Sequence, residues 1–543
     1  MLKKLTINDL SVSLKDEDFE VTAQKLKNSH PEYFLFQDKA LEHIRVAIDN
    51  PSFYKHFVIV GPNGSGKKDG IIQLLNKEYK TPVIYEPFPN VTGLIGLPNK
   101  NEYYPGRIVQ ARGGFLILPL EQLIKDTYCY DILKSCLLLE KIQFGYLPEL
   151  LFYQNFDRTY PDIPIDLRVI LVGEEYHFEH LYRKDMDLID VFKMKIELED
   201  EVNLNKNNIT KFSILVDTFP KTGYPKANKK AKKRLLEESL RINESQLKFT
   251  SNIAYIQSIF SEVAVRSKNK KILSEKEVEI GIQSKEYRNS ISKRKYYEEL
   301  KNGLYNIILT GSRLGRINAL SIMTDYSNNQ EYGQLSIISS RAMMGTGSFI
   351  NIEREVNLSG DIHDKGIFIL QSYLKGLFSN LNTFGLDASI MFEQSYSPVD
   401  GDSASVAELL AILSALSGLE IPSNIAITGS MTQYGEILPI GSINQKIEAW
   451  HSIIKVLGKP SSTYKMFMPA SNINNLLLSH DVIQSVKDEK LLIYSSTHVS
   501  EIIPLILDIP MGKIEKDGKY SKNSLLRMIE DRVESKKELE KEE

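Results

Sequence analysis

Two capped helical patterns and the strand ahead of them, all within about 386–457, leave the chain few choices of fold. Ala388, Ile390 and Phe392 alternate as in a half-buried strand over 386–392. A loop over 397–402 follows, with Pro398 and Gly401. Val406, Leu409, Leu410, Leu413 and Leu416 then recur at helical spacing, predicting a helix from about Ser403 to Ser417 capped by Gly418. A second stripe, Ile443, Ile447, Trp450, Ile454 and Leu457, predicts a helix over roughly 443–457 that Gly458 and Pro460 end. Strand, helix and helix in this order describe a layered domain of mixed type.

Ser403 and Lys446 are the candidates for chemistry in this stretch. Ser403 stands where a loop enters a helix, so free backbone N–H groups and the helix dipole could hold an oxyanion beside it. Lys446 lies at the border of the second apolar stripe, where lost hydration would lower its pKa and free a neutral amine to act as a base. Serine becomes a useful nucleophile only when such a base takes its proton. The residues taken alone also admit plainer roles: a serine at a helix start is commonly a cap, and a lysine beside an apolar stripe commonly reaches out to water.

The motifs around the two residues resemble those of the Lon family of serine–lysine peptidases. Asp400-Gly401-Asp402-Ser403-Ala404 is similar to that family's nucleophile motif, and Gly441-Ser442-Ile443-Asn444-Gln445-Lys446, after Thr428-Gly429-Ser430, to its lysine motif. The likeness extends upstream through NIEREVNLSGDIHDKG (351–366) and FEQSY (392–396). The resemblance implies that Ser403 is the nucleophile and Lys446 its general base, with Asp400 and Thr428 as supporting residues that position the lysine. His363 and Glu393 stand in family motifs, with structural roles at least as expected. The resemblance also implies a homo-hexameric ring acting on unfolded or damaged proteins.

Earlier in the chain, the apolar run His56–Val60 leads into GPNGSGKK (61–68) and a helical pattern over 69–79, the context of a phosphate-binding loop. Gly61, Gly66 and Lys67 are its candidate nucleotide-binding residues. Lys68, however, stands where the magnesium-binding hydroxyl belongs. RGGFLILPLEQL (112–123) resembles the strand that ends in two acids in AAA+ ATPases, but places Pro119 and Leu120 at those positions, with Glu121 one residue late. A third apolar run, 167–172, ends in Gly173-Glu174-Glu175. These losses predict a scaffold that keeps at most residual ATP binding and requires no cofactor.

With 543 residues, 42% hydrophobic and 25% charged, the chain has room for several ordinary globular domains. Its net charge of −3 gives no argument for nucleic acid or anionic membrane. KANKKAKKR (226–234) runs into LLEESL and reads as a solvated helix face, with nucleic-acid binding a second reading that the lack of interleaved aromatic residues weakens. Only Cys129 and Cys136 occur, which indicates neither a disulfide framework nor a metal site. No run reaches membrane-spanning length and the first 19 residues lack a signal-peptide core, so a cytoplasmic protein is expected.

The expected fold class is α/β, a degenerate AAA+ P-loop-type core with a helical lid, followed by an α+β Lon-type proteolytic domain. The expected divisions are an N-terminal segment (1–55), the α/β core (56–201), the lid (202–300), the protease domain (303–510) and a charged tail (511–543), a solvated helix or disordered. The expected function is a Lon-like endopeptidase without its own ATP hydrolysis. The alternatives are an ATP-dependent Lon-type protease with an atypical nucleotide site, and a non-proteolytic adaptor.

Overall fold

The structure is a computed structural model that describes residues 2–19, 34–99, 102–146, 157, 159–220, 224–267, 269–325, 330–344, 348–378, 386–395, 398–459 and 462–542. Tyr396, Ser397 and Pro460 of the sequence reading lie outside them. The chain divides into two compact units: one of Leu14–Asn243 with Lys248–Gln283, the other of Met1–Ser13, Glu244–Leu247 and Ser284–Glu543.

In the first unit, near-continuous apolar runs form a parallel sheet, because strands covered on both faces have no polar side to show. Its five strands run in the order Phe192–Glu197, His56–Val60, Arg168–Gly173, Phe115–Pro119 and Val83–Tyr85. Alternate residues feed two cores. Phe57, Ile59, Phe115 and Ile117 pack with the helices Asp38–Asp49 and Lys67–Glu78, while Val58, Val60, Leu116 and Leu118 pack with Thr127–Leu139. Cys129 and Cys136 are free and buried on that last helix. Helices Lys206–Thr218, Lys229–Ile242 and Ile253–Arg266 follow. The basic run on the second of these is not simply solvated. Buried Lys232 donates to Asp217 (2.7 Å) and Ser213 (3.0 Å), and Arg234 pairs with Glu238 and Glu279, so two of its charges are neutralised inside the fold. The helix Glu275–Arg288 runs through the end of this unit, and the helix Ile291–Lys301 belongs to the second.

The second unit is built on an eight-stranded mixed sheet in the order Lys3–Lys4, Leu491–Ser496, Tyr464–Pro469, Ile425–Ile427, Arg316–Asp325, Gln330–Met344, Leu386–Glu393 and Phe349–Asn351. The strand Phe349–Asn351 ends where the short helix Ile352–Glu355 begins. On one face, Ile317, Ile338 and Ile390 pack with the helices Asp361–Leu377, Ser405–Ser417 and Val499–Leu507. On the other, Leu320, Leu335 and Met466 pack with Ile443–Leu457, whose Trp450 is fully buried. The helix after the serine and the helix of the lysine therefore lie on opposite faces of one sheet.

Both ends of the chain join this unit, and the charged tail forms a helix that is packed rather than solvated. Lys3 and Lys4 extend the sheet by pairing with Ser495 and Tyr494. The helix Leu525–Glu542 buries Leu525, Leu526, Ile529 and Val533 in the same core as the helix Ser405–Ser417. Its Arg532 donates to the carbonyls of Ala415 (3.2 Å) and Leu416 (2.9 Å), where a cation complements a helix C-terminus. Four apolar residues at helical spacing were outweighed in the sequence by the surrounding Lys and Glu. Ile529→Ala is expected to cost about 2–4 kcal/mol, measured as a lowered denaturation midpoint; an unchanged midpoint would make the tail dispensable to the core.

Candidate active site

The serine sits in a turn that Gly401 makes possible, its φ of +96° lying where a side chain would be strained. Helix Ser405–Ser417 starts two residues later than the stripe predicts, because the Ser405 N–H and Oγ both bond back to the Asp402 carbonyl (3.1 and 2.8 Å). Ser403 thus projects from the last turn before the helix. Its carbonyl accepts from the Gly429 N–H (2.7 Å) and from Thr428 Oγ1 (3.1 Å), which fastens the turn to the end of the strand Ile425–Ile427.

Lys446 arrives from the opposite face of the sheet, in the first turn of its helix. Its Nζ lies 2.8 Å from Ser403 Oγ and 3.3 Å from Thr428 Oγ1. The residue is only 2% exposed. Burial pushes its pKa down to about 8, against the opposing charge of Asp402. Thr428 gives its hydroxyl hydrogen to the Ser403 carbonyl, so its lone pair receives a lysine N–H. That leaves the lone pair of a neutral Lys446 free to face the serine hydroxyl.

The other supporting candidate, Asp400, is elsewhere. Its Oδ1 accepts from the N–H groups of Gly401 (2.9 Å), Ile362 (3.2 Å) and His363 (3.4 Å), satisfying donors at the start of the helix Asp361–Leu377. Asp400 thus serves the helix N-terminus, and the acid whose charge acts on the lysine is a different one. The nearby acid is Asp402, which the sequence reading missed, and its Oδ2 accepts from Ser430 Oγ (2.6 Å). Its place between Gly401 and Ser403 was the available signal. His363 is buried and bonded to Glu408 (2.8 Å), and Glu393 pairs with Arg316.

Because Asp402 favours the charged lysine, Asp402→Asn should lower the Lys446 pKa below about 8. A hydrolysis that needs the neutral amine gains rate as pH rises through that pKa. The rising limb of the pH–rate profile is therefore expected to move to lower pH in Asp402→Asn. A limb that stays in place or moves up would contradict this electrostatic assignment.

In the first unit, Gly61 and Gly66 lie in the loop after the strand His56–Val60, and Lys67 opens the helix Lys67–Glu78. Lys67 Nζ donates to the Pro62 carbonyl (3.1 Å), and burial lowers its pKa while Glu174 opposes the shift. Asn252 and Ala254, at the start of the helix Ile253–Arg266, lie against the same loop. The Ala254 N–H donates to the Gly64 carbonyl (3.2 Å), and a Cβ at Gly64 would fall 2.1 Å from Asn252 Oδ1. The residues do not fit a magnesium–nucleotide complex. Lys68 pairs with Asp69 (3.0 Å) and lies over the Tyr85 ring; Pro119 ends its strand, Leu120 is fully buried, and Glu121 is bonded to Lys125. Among the described residues no cluster of His, Cys, Asp and Glu could hold a metal ion.

The family model for the Lon protease (S16) C-terminal proteolytic domain matches residues 324–509, which hold both Ser403 and Lys446. A second, for the LonB-like AAA domain, matches residues 79–199. The chain belongs to the Lon family. It is 29% identical over 434 residues to the putative Lon protease homolog of Escherichia coli (strain K12), covering 79% of this chain and 72% of that one. To the putative Lon protease homolog of Haemophilus influenzae it is 27% identical over 438 residues, 80% of this chain and 72% of the relative. With the Lon protease of Clostridium beijerinckii the identity is 24% over 520 residues, 92% of this chain but 59% of the relative. The fold is accordingly an AAA-type domain followed by a Lon proteolytic domain. Among the described residues no helix is long and apolar enough to cross a membrane.

Proposed function

We propose that this Lon-family chain is a serine endopeptidase that cleaves loosely folded polypeptides with Ser403 and Lys446, without hydrolysing ATP. The observation that carries the reading is the 2.8 Å contact between Ser403 Oγ and the amine of a lysine that is almost wholly buried. Neutral Lys446 takes the Ser403 proton as Oγ attacks the peptide carbonyl. The tetrahedral oxyanion is stabilised by backbone N–H groups near Ser403, at the positive end of the helix that follows. Collapse of the intermediate passes the proton from Lys446 to the leaving amine and leaves an acyl group on Ser403. Water, deprotonated by the same amine, releases it.

Thr428 orients the amine in this scheme without reacting. Thr428→Val should lower kcat by roughly ten- to a thousandfold, the range of other supporting groups; a variant with full turnover would make the threonine structural. The active assembly proposed is a homo-hexamer, which the family resemblance supports and sedimentation can test. The overall reading is tested with casein as a loosely folded substrate, comparing the wild type and Ser403→Ala. Loss of casein cleavage in the variant alone supports it, and equal cleavage by both proteins overturns it.

A further inference from the structure

Beneath the nucleophile turn lies an ion pair that the scheme above does not use. His363 and Glu408 are 1% and 0% exposed, and His363 Nε2 lies 2.8 Å from Glu408 Oε1. The other ring nitrogen, Nδ1, lies 3.0 Å from Ser359 Oγ, which gives its own hydrogen to Asp364 Oδ1 (2.6 Å). The serine can therefore only accept from Nδ1–H, so with Nε2–H directed at Glu408 both ring nitrogens donate and the ring is held from both ends. Burial alone would lower the His363 pKa, but the hydrogen bond and the charge of Glu408 outweigh it and raise the value. A further buried carboxylate, Glu353, stands close by and accepts from the Phe392 N–H (2.7 Å); the Phe392 ring meets the imidazole edge-on at 5.5 Å. Arg354 lies 3.5 Å from Asp364 and completes the charged surroundings.

The placement of the pair is what matters. Glu408 belongs to the first turn of the helix that begins just after Ser403. His363 belongs to the first turn of the helix Asp361–Leu377, and its backbone N–H donates to Asp400, just before Ser403. One residue thus holds both flanks of the nucleophile turn, through its backbone on one side and its ring on the other. A buried ion pair adds little net stability over an apolar pair of the same volume. What it does add is direction, since the bond forms in only one alignment of the two helices.

We infer that His363 and Glu408 are positioning residues for Ser403, clamping the two helices so that its hydroxyl stays within reach of Lys446. This inference rests on the hydrolytic reading of Ser403. Its test is kcat and KM on a fluorogenic peptide, with the rate of Ser403 labelling by a fluorophosphonate, in the wild type and three variants. Glu408→Gln still accepts from the imidazole and should keep at least about a third of kcat. Glu408→Leu, and the paired variant His363→Leu with Glu408→Leu, should each lose about tenfold or more in kcat and labelling rate, with KM within about twofold. The paired variant leaves neither partner buried and alone, so it is expected to fold like the wild type. Wild-type kcat in a folded paired variant overturns the proposal. A paired variant that does not fold, beside a fully active Glu408→Leu, also overturns it by reducing the pair to a stability role. Failure of the hydrolytic reading itself would show separately, as a wild type that neither cleaves peptide nor takes the label.

Discussion

Lys446→Ala and Ser403→Ala should each abolish peptide hydrolysis, lowering kcat by on the order of four to six decades, the loss seen when a nucleophile or its base is removed. The two losses should not add. Without Lys446 the serine loses its base: Thr428 Oγ1 belongs to a neutral hydroxyl, far too weak a base to take the proton, and Asp402 Oδ2 is bonded to Ser430. Without Ser403 the amine faces no nucleophile. The double variant is therefore expected to be no slower than either single one. Neither change should unfold the protein, because Ser403 holds its turn through its backbone carbonyl rather than its hydroxyl. A Lys446→Ala protein with more than about a hundredth of wild-type kcat would transfer the base role elsewhere.

ATP with magnesium is expected to change cleavage of a loosely folded substrate by less than about twofold and to leave a tightly folded one intact, with no phosphate released. Magnesium in a phosphate-loop enzyme is held by a hydroxyl after the lysine and by an acid on the neighbouring strand. Here Lys68 pairs with Asp69, Pro119 and Leu120 carry no carboxylate, and Glu121 is bonded to Lys125. The losses lie in separate segments yet bear on one reaction. Degradation of a stable substrate only with ATP–magnesium, with matching phosphate release, would reinstate a working motor.

How much of this was legible in the sequence depended on whether the signal was local. The lysine helix forms over Ile443–Leu457 where its stripe and Gly458 put it, because burial, capping and propensity agree there. The start of the helix after Ser403 shifted by two residues, because side-chain bonding by Ser405 to Asp402 competes with the first helical turn. Asp400 was drawn toward the lysine by its motif. Its bonds to the N–H groups of Ile362 and His363 depend on a helix some forty residues away in sequence, which no local pattern announces. The same distance hid the pairing of His363 with Glu408. The C-terminal helix was misjudged for another reason. Its apolar stripe is narrow, and composition averaged over the tail conceals four residues that all point inward.

The central claim is that a buried, partly deprotonated Lys446 activates Ser403. The most direct measurement is the rate at which a fluorophosphonate labels the protein, followed by mass spectrometry across pH 6 to 10 at roughly unit intervals. The account predicts one label per chain, on Ser403, with a rate that rises through a midpoint near 8, the value to which burial lowers the lysine. In Lys446→Ala the labelling should all but disappear. Labelling of Ser403 at the same rate in the wild type and in Lys446→Ala, or a rate that does not change with pH, would contradict it.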